Sequence, residues 1–122
     1  MIAEDYVSFE TAKLLKEKGF DWECFQYWHE KDNELVHSQS MHPIQNISNP
    51  CFFGPAAPTL QMAMKWLREI HNLAIELTWE HTWFASITKM TSMPESIVYE
   101  DGDRSYEVAC ETAIKYCLEN LI

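Results

Sequence analysis

The sequence predicts an α+β fold: a two-layer domain in which three helices cover an antiparallel sheet of about five strands. Three observations carry this prediction. First, Ser8-Phe9-Glu10-Thr11-Ala12, Thr59-Leu60-Gln61-Met62-Ala63 and Ser105-Tyr106-Glu107-Val108-Ala109 share one pattern: a hydroxyl residue, a large apolar residue next, and alanine three places later. A Ser or Thr oxygen accepts from first-turn N–H groups that have no partner inside a helix. The large residue and the alanine then share a face, and the small side chain lets another backbone come close. Second, Leu73-Ala-Ile-Glu-Leu-Thr-Trp79 alternates with period two, as a half-buried strand does. Third, the order α-β-β-loop-α-β-β-β-α sets hairpins between helices, which calls for antiparallel pairing with the helices on one face.

The first helix is expected from about Ser8 to Lys18, with Phe9, Ala12 and Leu15 on its apolar stripe and Leu14 widening it. Gly19 supplies a left-handed stop, and Phe20 folds back on Leu15 in a Schellman end. Residues Trp22 to Glu30 are aromatic and lack helical period, so they read as a strand. Lys31-Asp32-Asn33-Glu34 is a turn, and Leu35-Val36-His37 begins the return strand of a hairpin.

Residues 38–58 hold four of the five prolines, yet Met41, Ile44, Ile47, Cys51, Phe52 and Phe53 make the stretch too apolar for a solvated linker. Irregular loops of this length often serve function. A lid packing its own apolar residues over the core, or an irregular edge strand, is the structural reading set against that one.

The second helix is expected from about Thr59 to His71, burying Leu60, Ala63, Met64, Leu67 and Ile70, with Met62 and Trp66 flanking them. Arg68 and His71 suit its negative C-terminal end, and Asn72 takes the left-handed stop. In the strand that follows, Leu73, Ile75, Leu77 and Trp79 form the buried face, and Trp66 and Trp79 are assigned to the core. Glu80-His81 turns the chain, Trp83 to Met90 returns, and Ser96 to Glu100 forms a fifth strand after Pro94. Asp101-Gly102-Asp103-Arg104 reads as a turn before a last helix capped by Ser105. Its apolar face is Tyr106, Ala109, Cys110, Ala113, Tyr116, Cys117 and Leu121, widened by Ile114 and Leu118.

At 122 residues the chain is read as a single domain, and 47% apolar residues with 13% aromatics argue against disorder. No apolar run approaches the ~20 residues of a membrane span, and Met1-Ile-Ala-Glu-Asp5 lacks the features of a signal peptide, so a cytoplasmic location is expected. Cys24, Cys51, Cys110 and Cys117 contain no CxxC pair and are expected as buried free thiols. The net charge of −10 repels phosphate backbones, which argues against nucleic acid as a partner. The acids are dispersed rather than in dense runs, so solubility accounts for them better than mimicry of a nucleic acid.

Tyr6-Val-Ser-Phe-Glu-Thr-Ala-Lys-Leu-Leu-Lys-Glu-Lys-Gly-Phe20, Ala57-Pro-Thr59 leading to Lys65-Trp-Leu-Arg-Glu69, and Tyr106-Glu107 together resemble an uncharacterised family of short gut-bacterial and phage proteins. The resemblance covers both ends and the middle and leaves out the 38–56 loop. It implies no activity, cofactor or site residue; a phage or mobile-element origin would imply a small partner-binding or host-modulating protein.

No residue pattern announces a reaction. The five histidines lack the tight pairs that mark a zinc site, and no metal or cofactor is expected. P-loop, GxGxxG, GxSxG and HExxH motifs are absent from the sequence. A nucleophilic pair of Cys51 with His37, His42 or His81 would be set by the fold and not by spacing, whereas Cys110 and Cys117 lie on an apolar face suited to inert packing. The aromatic residues Trp22, Tyr27, Trp28 and Trp83 are read as strand positions; on an uncovered sheet face they would form a partner surface. The sequence therefore favours a non-enzymatic cytosolic protein that binds another protein or itself, as a homodimer, with no nucleic acid and no membrane. The alternative is a small-molecule-binding domain or minor enzyme with a pocket under the 38–58 loop, lined by His42, Cys51 and Phe52.

Overall fold

A computed structural model describes residues 5–29, 31, 33–37, 54–103 and 105–122, giving the backbone alone at 97–103. The element order is that expected: α1 (Phe9–Glu17), β1 (Gln26–His29), β2 (Glu34–His37), α2 (Leu60–His71), β3 (Leu73–Trp79), β4 (Trp83–Lys89), β5 (Glu95–Asp103) and α3 (Tyr106–Tyr116), continued by a π-helical turn at Cys117–Leu121. The fold is α+β. Its five described strands form two antiparallel sheets, β1-β2 and β3-β4-β5, in place of the single sheet expected. The chain divides into two compact units, Met1–Thr59 and Leu60–Ile122.

In the first unit, Ser8 caps α1 by accepting from the Thr11 N–H at 3.3 Å. The helix ends as its sequence dictates. Gly19 takes φ 93°, its N–H reaches the Lys16 carbonyl at 3.2 Å, and the Phe20 N–H reaches the Leu15 carbonyl at 2.9 Å. That is the paired bonding of a Schellman end, and both Leu15 and Phe20 are buried beneath it.

Strand β1 is shorter than the aromatic run suggests, because Trp22 lies ahead of it. Its pairing with β2 sets Tyr27 opposite Val36 and Trp28 opposite Leu35. The second edge of β1 is taken by the backbone of Pro55–Ala57: the Trp28 N–H donates to the Pro55 carbonyl at 3.0 Å, and the Ala57 N–H to the Gln26 carbonyl at 2.8 Å. Both edges of β1 are therefore paired within the first unit. Pro55 and Pro58 lack the N–H groups that would extend this addition into a long strand. Residues 54–58 are all buried, so this end of the Pro-rich stretch packs inward. Residues 38–53 lie outside the described residues.

In the second unit, α2 and α3 both pack on the three-stranded sheet and on each other. Ala63, Ala109 and Ala113 are buried, as close-approach positions require. Asn72 stops α2 at φ 56°. Trp66 sits inside the core with Leu67, and Ile70, expected in the stripe, is 54% exposed. The core side of α2 thus keeps Leu60, Ala63, Met64 and Leu67 and takes in Trp66 in place of Ile70, the larger indole surface gaining more from burial. In α3 the buried residues are Ala109, Cys110, Ala113 and Ile114, followed by Cys117 and Leu118 in the π-helical turn. Ile114 and Leu118 are thus central to the face and not its margin. Ser105 caps α3 by accepting from the Val108 N–H at 3.3 Å.

Leu73, Ile75 and Leu77 stand opposite Lys89, Ile87 and Ala85, and these positions share one face. Burial fades along β3 toward the turn, from Leu73 inside to Trp79 at 61% exposure. The assignment of Trp79 to the core is thereby corrected: it has the right parity but stands at the strand's last position, where burial has run out. Strand β5 extends through Asp103, so 101–103 belong to the strand and not to the turn expected there.

Candidate functional site

The four aromatic residues singled out from the sequence lie in different settings. Trp28 is tied down: its Nε1–H donates to the Val7 carbonyl at 2.9 Å, and its ring meets Phe9 edge-on with centroids 6.4 Å apart. Tyr27, its neighbour in β1, points to the opposite side of the strand by the period-two rule and pairs in register with Ala56 on one side and Val36 on the other. Trp22 lies outside the strand, its ring tilted against the buried Phe20 at 6.3 Å. Trp83 belongs to the second unit. His42, Cys51 and Phe52 lie outside the described residues.

Among the described residues the most exposed aromatic side chain, Trp79, stands at one end of the three-stranded sheet. Trp79 closes β3 and Trp83 opens β4, joined by the turn Glu80-His81-Thr82, so the two indoles stand directly opposite each other across the last rung. The turn is held by the Glu80 N–H donating to the Thr82 carbonyl at 2.9 Å, and His81 takes φ 66°, a left-handed conformation that costs a β-carbon-bearing residue on the order of 1 kcal/mol. The His81 ring lies against Trp79 with centroids 5.9 Å apart. Trp83 has its own neighbour, Tyr106, whose ring meets it edge-on at 5.0 Å. The Tyr106 hydroxyl accepts from the Gln61 amide at 3.1 Å.

Topology explains the convergence. α2 ends at His71, one residue before β3 begins, so it runs back along the sheet and its first turn, with Gln61, reaches the Trp79 end. β5 finishes at Asp103, in register with Trp83, and α3 starts three residues later at Tyr106. The amide bonded to Tyr106 would draw its hydroxyl down, but burial, the Cys110 thiol and the Glu107 charge outweigh it and hold that hydroxyl above its ordinary range.

The sequence reading found Trp83 here and missed Trp79, His81, Tyr106 and Gln61. A signal for Trp79 was present: two tryptophans equidistant from a short polar turn face each other once the hairpin closes.

Burial disfavours the thiolate form at each described cysteine. Burial pushes Cys24 and Cys117 up to about 12, and it pushes Cys110 up to about 11 against the opposing Tyr106 hydrogen bond. His71, packed edge-on against Trp66 at 4.7 Å, is held below its ordinary value by burial. Among the described residues, no three His, Cys, Asp or Glu side chains converge as metal ligands, and no helix is long and apolar enough to cross a membrane. Comparison with protein-family models, with curated proteins and with solved structures finds no match to this chain.

Proposed function

We propose that this chain is a non-enzymatic, cytoplasmic protein-binding domain that holds its partner with the aromatic end of the three-stranded sheet. The observation that carries the reading is Trp79, 61% exposed beside the half-buried Trp83. Water gains little from hydrating an indole, and large aromatic residues clustered on a surface supply most of the binding energy where proteins meet. His81, Tyr106 and Gln61 add polar groups at the rim of the patch, the arrangement of apolar centre and polar edge that protein interfaces share. The high thiol pKa values at Cys24, Cys110 and Cys117 weigh on the same side, since they suppress nucleophilic chemistry at those positions. A host-modulating role is one form that such binding takes.

The test is affinity capture from a host lysate with the intact chain and with Trp79→Ala in parallel, followed by native mass spectrometry. A stoichiometric protein recovered by the intact chain and lost with the variant is the expected result. A stoichiometric metabolite with no protein would overturn the reading, and equal recovery by both chains would move the contact surface away from Trp79.

A further inference from the structure

Building on that reading, we infer that the group received at Trp79 and Trp83 is a cation: the guanidinium of an arginine carried on a basic protein segment.

The aromatic end carries acids. Glu80 is exposed in the turn between the two tryptophans, and Glu107 is exposed in the first turn of α3. Glu107 is near enough for its charge to act on Tyr106, the ring that packs on Trp83.

Aromatic faces carry negative charge density and attract cations, most strongly on tryptophan. An acidic rim adds long-range attraction and discourages any anionic partner. Arginine suits such a place better than lysine, because its flat, weakly hydrated guanidinium stacks on an indole while its N–H groups remain free to meet carboxylates. The chain's net charge of −10 works in the same direction, repelling a second copy and drawing a basic partner. Apolar rings alone would accept many occupants. Rings set beside the exposed carboxylates of Glu80 and Glu107 select a basic one.

The probe is a short synthetic peptide alternating arginine and glycine, titrated calorimetrically into the full chain. The control replaces each arginine with citrulline, which keeps the shape and removes the charge. The arginine peptide should bind, and the citrulline peptide should bind at least tenfold more weakly. Trp79→Leu should weaken the arginine peptide roughly five- to thirtyfold, while Trp79→Tyr, which keeps a π face, should recover much of the loss. Circular dichroism of each variant confirms that the exposed position leaves the fold intact.

If Trp79→Leu binds the arginine peptide as tightly as the intact chain, only diffuse attraction to the acidic surface is at work and the inference is overturned. Equal binding of the citrulline peptide overturns it as well. So does a dimer in sedimentation that Trp79→Leu dissolves, because the occupant is then a second copy. A natural partner captured through Trp79 by a chain that ignores the arginine peptide would remove the cation and leave protein binding standing; failure of both experiments would remove both.

Discussion

The indole N–H of Trp28 donates to the backbone oxygen of Val7 at 2.9 Å and so fastens the first hairpin to the segment that leads into α1. Val7 is buried, and its own N–H donates to the Pro58 carbonyl at 3.1 Å. One tryptophan therefore secures a strand, the entry to a helix and the end of the Pro-rich stretch. This makes Trp28 a structural residue. Trp28→Phe should destabilise the chain by about 1–3 kcal/mol in urea denaturation, because a buried carbonyl loses its donor. Trp79→Phe, at an exposed position, should stay within about 0.5 kcal/mol of the parent. Equal midpoints for the two variants would contradict the assignment.

Gly19 offers a clean test of backbone strain. Beyond its two chain neighbours no heavy atom lies within 4 Å of where a β-carbon would stand, so Gly19→Ala meets no tertiary contact and bears the cost of φ 93°. That cost should be about 1–2 kcal/mol, seen as a lower Tm. Gly19→Asn should lose less, since asparagine tolerates the left-handed region through its short polar side chain. Should the alanine variant melt with the parent, the helix end forms without the Schellman geometry.

The two serine caps and the alanines of the helix faces test the packing. Ser8→Ala and Ser105→Ala should each cost about 0.5–2 kcal/mol through loss of the acceptor for a first-turn N–H. Ala63→Leu and Ala109→Leu should each cost about 1–3 kcal/mol by overpacking buried positions. Thermal denaturation of the four variants measures both effects. Leucine variants as stable as the parent would mean that the faces of α2 and α3 are less closely packed than their burial implies.

The raised thiols make stability fall in alkali. With unfolded-state values near 9 and folded values up to about 12 at Cys24 and Cys117, the unfolded chain loses its thiol protons first as pH rises. The folded state then binds more protons than the unfolded one, so these groups lower stability progressively between pH 9 and about 12. Tm should drop across that window, and Cys117→Ala should flatten the slope. In a Cys51→Ser background at pH 8, a thiol reagent should label the native chain only as fast as it opens, and the denatured chain at once. Rapid labelling of the native chain would contradict the burial.

The order and type of the elements were legible because they rest on short-range chemistry. Ser8 and Ser105 announce their helices through a bond reaching three residues, and Gly19 and Asn72 announce the ends of α1 and α2 through their own φ. The alternation of Leu73 to Trp79 shows which side each residue takes, because strand parity is a local property. Which of those sides is covered, and how far along, is not local. Ile70 and Trp79 follow the correct period and are exposed, while Trp66, at the margin of its stripe, is buried. The Trp79–Trp83–Tyr106 cluster likewise depends on two helices and three strands meeting at one end of a sheet.

Local patterning in the sequence thus determined the helices, the hairpins, their order and the parity of each strand. The tertiary structure decided that β1 gives its second edge to Pro55–Ala57 and that the strands fall into two sheets; it also decided which tryptophans are enclosed. Burial and edge pairing depend on which distant segment arrives first and fits best, and that competition is settled only when the whole chain packs.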